Sequence, residues 1–176
     1  AAFGMAAEEA PFGQLYSLEV QNFKSYAGHQ LIGPFKKFTC VIGPNGAGKS
    51  NLMDAVSFVV GVQSAKLRAE EVGQLKYRGD AEVARGKSTY VKMTFRDEDE
   101  NETTFKRTIV GASTEFRVND KVVSADKYHK TLISVGVDTK ARVFLVFQNE
   151  IETIVKRSAK DLTTLLERVS GSEDFR

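Results

Sequence analysis

Gly43-Pro44-Asn45-Gly46-Ala47-Gly48-Lys49-Ser50 is the stretch on which the reading of this chain turns. It fits G-x-x-x-x-G-K-[ST], the pattern of a phosphate-binding loop. The glycines let the backbone curl until successive N–H groups point at one phosphate, and they leave room for its oxygens. A helix starting near Gly48 aims the positive end of its dipole at the same place. Lys49 then reaches the β- and γ-phosphates. Ser50 sets its hydroxyl on Mg2+, an ion that keeps most of its waters and takes few protein ligands. The pattern therefore predicts a site for a nucleotide with Mg2+.

The flanks supply the context such a loop requires. Phe38-Thr39-Cys40-Val41-Ile42 is β-branched and apolar and runs straight into Gly43, which predicts a strand with Cys40 as a small core residue. After Gly48, the residues Leu52, Ala55, Val56, Val59 and Val60 fall on one helical face, and Gly61 closes the run as a C-cap. Upstream, Tyr16, Leu18 and Val20 alternate through a strand over Leu15–Phe23, followed by a polar turn, Lys24–Gly28, and a short strand at Gln30–Ile32. Downstream, Ser88–Arg96 and Thr104–Val110 read as strands around an acidic tip, Asp97–Glu102. Glu115–Val118 and Lys121–Val123 flank a tight turn at Asn119-Asp120. Ala125–Ile133 is helical in pattern. Arg142–Phe147 is a nearly continuous apolar run, as in a strand buried on both faces, and it ends at Gln148. Two helical stretches follow, Glu150–Arg157 and Ala159–Val169, the second with Ser158 as cap and Asp161 at its third position. Strands before and after a central helix, with hairpins on one side, predict an α/β layered domain.

Composition narrows the classes further. The chain has 176 residues, 25 basic against 23 acidic, and is 41% hydrophobic, which suits one folded domain and not a disordered tail. One Cys excludes a disulfide scaffold, and no Cys/His cluster has zinc-finger spacing. No apolar run approaches the ~20 residues that span a bilayer. Ala1–Gly13 is Ala-rich and aperiodic; it reads as a loose leader and lacks the pattern of a secretory signal. A formal charge of +2 does not argue for nucleic acid by itself. Locally, Ser64–Lys92 carries seven basic and four acidic residues, including Lys66, Arg68, Lys76 and Arg78. The fork of Arg68 suits phosphate oxygens, of DNA or of a nucleotide; a solvated face is the plainer reading. Gln148 lies at the edge where α/β sheets hold ligands, and its neutral amide suits Mg2+ or a water; it also suits a simple turn. No apolar strand ends in the acidic residue that ATP hydrolysis needs, so the phosphate cradle stands without the rest of the hydrolytic machinery.

Four segments together resemble a known family: Asn22-Phe23-Lys24-Ser25-Tyr26, Ile32-Gly33-Pro34-Phe35, the phosphate loop continued through Asn51-Leu52-Met53-Asp54-Ala55, and Phe144-Leu145-Val146-Phe147-Gln148. They look like the N-terminal ATPase lobe of structural-maintenance-of-chromosomes (SMC) proteins, most similar to the cohesin type. The resemblance implies an α/β fold, a P-loop NTPase of the ABC-ATPase head type, with β-hairpins beside a central P-loop helix. It implies a leader over 1–14, an ATP-binding lobe over 15–157 and a helix at the root of a coiled coil over 158–176. The implied cofactors are ATP and Mg2+. Gly43, Pro44, Asn45, Gly46, Ala47, Gly48, Lys49, Ser50 and Asn51 match the nucleotide loop, and Lys24 and Ser25 match the turn lying over the phosphates. Arg68 matches the family's R-loop arginine, and Gln148 the Q-loop glutamine that shares Mg2+ with Ser50. The missing acidic strand is implied to lie in a C-terminal lobe, so this chain alone holds no complete catalytic set and is expected to be inactive. The implied partners are that C-terminal lobe, a partner SMC head, a kleisin and DNA, with no membrane. The implied setting is the nucleus and chromosome, where ATP-dependent head engagement gates a DNA-entrapping ring in sister chromatid cohesion. A DNA-repair SMC-like or RecF-like head, and a DNA-binding module with a vestigial P-loop, are the alternatives. Lys76 and Tyr77 depart from the family, whose members carry apolar or acidic residues there.

Overall fold

A computed structural model describes residues 13–61, 72–79, 88–137 and 158–169. Within them, period-two alternation builds one antiparallel sheet. Its strands are β1 (Gln14–Phe23), β2 (Tyr26–Ile32), β3 (Thr89–Arg96), β4 (Glu102–Val110), β5 (Ser113–Val118) and β6 (Lys121–Val123). Their spatial order is β2-β1-β3-β4-β5-β6. Leu18 and Val20 on β1, Val91, Met93 and Phe95 on β3, and Phe105 and Ile109 on β4 are buried on one face. On the other face Glu19, Lys92, Lys106 and Arg117 stand opposite one another across four strands. Lys92 reaches Glu19, Arg117 reaches Glu115, and the ammonium of Lys106 lies over the Tyr90 ring.

Local chemistry sets the turns. Asn119 and Asp120 both take left-handed φ, 47° and 61°, the conformation a two-residue hairpin asks for. Asn119 Oδ1 also accepts from the Thr104 amide at 2.8 Å, tying the turn to β4. At the β3–β4 tip, Asp97 accepts from the amide and side chain of Asn101, and these bonds hold its carboxyl below the usual range.

Two helices cover the buried face. α1 (Lys49–Val59) follows the phosphate loop and buries Leu52, Ala55, Phe58 and Val59. The Phe58 and Phe23 rings meet at 5.4 Å. Gly61, at φ 91°, takes up the chain after α1, and its amide donates to the Phe58 carbonyl. α2 (Ala125–Ser134) begins at Ser124, whose Oγ accepts from the Lys127 amide. It buries Tyr128 and Leu132, with Tyr128 edge-on to Phe105 at 5.5 Å. Each large side chain fully buried in this layer stabilises the fold by roughly 2 kcal/mol.

The chain divides into two units, 1–137 and 138–176. The described part of the second centres on α3 (Ala159–Val169). Ser158 Oγ accepts from the Asp161 amide and donates to its carboxylate, the cap that the sequence predicts. Leu162 and Leu166, one turn apart on α3, are exposed. No helix among the described residues is long and apolar enough to cross a membrane.

One expectation is overturned. Phe38–Ile42 forms no strand, and Cys40 is exposed instead of lying in a core. Phe38 is 88% and Ile42 86% exposed. A strand is held by the ladder of its neighbours, and the described strands complete their order without this segment. The predicted strand at 142–147, the helix at 150–157 and the leader up to residue 12 lie outside the described residues, as do Arg68 and Gln148.

Candidate phosphate-binding site

The loop from Gly43 to Ala47 is exposed and turns through an Ala47 amide bond to the Pro44 carbonyl at 3.2 Å. Gly46 and Gly48 take left-handed φ of 82° and 96°, which an L-residue adopts only at a cost. At Gly48 there is also little room, because an added Cβ would lie 3.3 Å from Ser25 Oγ. Gly48 is the N-cap of α1. No side chain caps the helix there, and its first turn carries no acidic residue. The positive dipole end of α1 thus faces neither a capping side chain nor an acidic residue of its own turn, and suits an anion. Lys49 Nζ donates to the carbonyls of Gly43 at 2.6 Å and Pro44 at 2.8 Å, which fixes its charge at the loop. Ser50 is exposed in the first turn of α1. Glycine curl, an uncapped helix start and a fixed ammonium fit a phosphate chain.

The β1–β2 turn stands against this loop. Asn22 is buried with φ 47°, and its Oδ1 accepts from the Gly28 amide at 2.8 Å, so the turn is built around it. Ser25 Oγ accepts from Asn51 Nδ2 at 2.8 Å, and the Tyr26 hydroxyl donates to the Gly48 carbonyl at 3.2 Å. Burial raises the Tyr26 phenol. The structure therefore brings Ser25 and Asn51 together beside the loop. Lys24 comes to the same turn, but its ammonium lies 2.5 Å from Asp54, a carboxylate that α1 keeps buried. Asp54 escaped the sequence reading. Helical spacing sets it on the side of α1 away from the Leu52, Ala55 and Val59 stripe, where an acidic residue reads as solvated.

Main-chain bonds extend the turn further. The Lys24 amide donates to the Leu75 carbonyl and the Tyr77 amide to the Asn22 carbonyl, both at 2.8 Å, and Phe23 pairs with Lys76 as an isolated bridge. These contacts involve backbone atoms, so the unusual side chains of Lys76 and Tyr77 leave them intact.

Comparison with known proteins follows the same lines. Residues 14–142 match the family described as the RecF/RecN/SMC N terminal domain. Structural maintenance of chromosomes protein 1 of Arabidopsis thaliana is 47% identical over 98% of this chain and 14% of its own length. Structural maintenance of chromosomes protein 1B of Homo sapiens is 44% identical over 90% of this chain and 13% of its own. The chain thus spans 13% to 14% of the length of these two relatives. Among solved structures, a chain described under ATP-driven dimerization and DNA stimulated activation of SMC ATPases matches with a TM-score of 0.77 at 28% identity, over 88% of this chain and 98% of that one. An Smc head bound to the C-winged helix domain of ScpA also matches with a TM-score of 0.77 at 28% identity, over 89% of this chain and 51% of that one.

Proposed function

Because this chain belongs to the RecF/RecN/SMC N-terminal family, we propose that it forms the ATP-binding half of a cohesin-type SMC ATPase head. The observation that carries the reading is the start of α1, uncapped by any side chain, with Lys49 fixed at the loop. In this reading the amides of Gly43–Ser50 cradle the phosphates, and Lys49 swings its ammonium onto them. Ser25 and Asn51 brace the loop through their shared hydrogen bond. Lys24 acts from beside the phosphates through Asp54, keeping the β1–β2 turn seated on α1. Ser50 and Gln148 hold Mg2+, which when bound neutralises charge on the phosphate oxygens. Arg68 supplies a further cation toward nucleotide or DNA.

The remaining machinery would come from outside the chain. The exposed apolar run at Phe38–Ile42 suits a C-terminal lobe of the same protein, which would lay a strand beside it and supply the acidic residue. A partner SMC head would close over the nucleotide, with a kleisin and DNA completing the assembly. Such an assembly would work in the nucleus on chromosomes, with head engagement gating a DNA-holding ring in sister chromatid cohesion.

Binding of a fluorescent ATP analogue with Mg2+ to the full-length protein tests the core of this reading. Wild type binds, and Lys49→Ala loses about fiftyfold or more in affinity, as expected for a lost charge-assisted contact. Equal binding by the two proteins would refute it. The 176-residue chain by itself is expected to show no ATP turnover. Turnover that Lys49→Ala abolishes would overturn the half-site reading.

A further inference from the structure

The far end of α1 is held by two residues the phosphate site does not use. Arg107 projects from β4 onto the core face, in line with Phe105 and Ile109. Its guanidinium carbon lies 4.4 Å from the Phe58 ring centroid and 5.0 Å from that of Phe116. Nη1 donates to the Phe58 carbonyl at 2.8 Å, and Nε donates to Thr114 Oγ1 at 3.1 Å. Tyr128, fully buried on α2, donates its hydroxyl to the Val59 carbonyl at 2.5 Å. Phe58 and Val59 are the last two residues of α1, where helical carbonyls run out of intrahelical donors.

A cation in this place is costly. Burial pushes the Arg107 guanidinium down to about 10, which still leaves it charged at neutral pH. Among the described residues it pairs with no carboxylate; the negative end of the α1 dipole answers its charge. An apolar residue of similar volume would fill the same space without that desolvation cost. The charge therefore calls for a role beyond packing. Gly61 points the same way. An added Cβ there would lie 2.4 Å from His129 Cε1, so α2 abuts the chain directly after α1.

We infer that Arg107 and Tyr128 are positioning residues for the phosphate loop, gripping the C-terminal end of α1 so that its first turn is presented in one fixed place. This rests on the nucleotide-binding reading above. α1 has eleven residues and spans about 16 Å, so its two ends move as one rigid rod. Whatever shifts β4, β5 or α2 against the Phe58 and Val59 carbonyls shifts Gly48, Lys49 and Ser50 as well. The layer of β4, β5 and α2 thereby sets nucleotide affinity without touching nucleotide.

The test compares wild type, Tyr128→Phe, Arg107→Met and Arg107→Lys in the full-length protein. Phe95→Leu serves as a core control; its ring packs edge-on to Phe105 and beside Gly13 and, being apolar, donates no hydrogen bond to the end of α1. Affinity for the fluorescent ATP analogue with Mg2+ is read together with amide exchange over residues 49–61. Tyr128→Phe and Arg107→Met are expected to weaken nucleotide binding about fivefold and to speed exchange at the end of α1, while Phe95→Leu loses thermal stability at unchanged affinity. Arg107→Lys, which keeps a donor and the charge, is expected to recover part of the loss. Unchanged affinity in both Tyr128→Phe and Arg107→Met, or an equal loss in Phe95→Leu, would overturn the inference. Wild-type protein that binds no nucleotide would overturn the reading beneath it as well.

Discussion

At its first turn α1 meets glycines in left-handed conformations, exposed neighbours and no capping side chain; at its last turn the carbonyls of Phe58 and Val59 meet a half-buried guanidinium and a buried phenol. One helix thus has an end that is open and an end that is locked. Both follow from the same peptide dipole. The positive end carries no capping side chain and no acidic residue, and the negative end is given a cation within the fold. On the nucleotide-binding reading, a helix that presents a site draws its rigidity from somewhere other than the site. Here it comes from the opposite end and from the Lys24–Asp54 pair midway along.

The contrast can be broken by mutation, and the largest effect is expected midway. Lys24→Ala leaves the buried Asp54 carboxylate without its cation and should cost about 3 kcal/mol in chemical denaturation. A loss under about 1 kcal/mol would show that the lock does not extend beyond the last turn. Next comes Lys49→Ala. Its effect on nucleotide affinity should be large, but its effect on unfolding free energy should stay within about 0.5 kcal/mol. A stability loss matching that of Lys24→Ala would erase the distinction between the two ends. Gly48→Ala sharpens the contrast with the smallest change. The left-handed φ should cost about 1–2 kcal/mol, read as a lower thermal midpoint, and the methyl group should press on Ser25 Oγ. An unchanged midpoint would mean that the open end relaxes freely.

Features made by neighbours in sequence were legible in it. The α1 stripe, its stop at Gly61, the Asn119-Asp120 turn and the Ser158–Asp161 cap are each decided within a few residues. The phosphate loop belongs with them, because its spacing carries its geometry. Features made by distant segments were not. Phe38–Ile42 has the composition of a buried strand, but strand formation depends on a neighbour alongside, which no run of five residues can specify. Asp54 and Lys24 stand thirty residues apart, and each reads alone as a surface charge. Arg107 lies between the two cases. The alternation of Phe105, Arg107 and Ile109 turns it inward, against the usual place of an arginine at the surface.

Among the described residues the sheet ends at β6, a strand of three residues that opens with an exposed lysine. A bare strand edge is a template on which a second chain can continue the ladder. This one offers too few amides and carbonyls in a row to hold a passer-by, and its lysine repels an identical copy. On that side the sheet is a poor template for a second copy of itself.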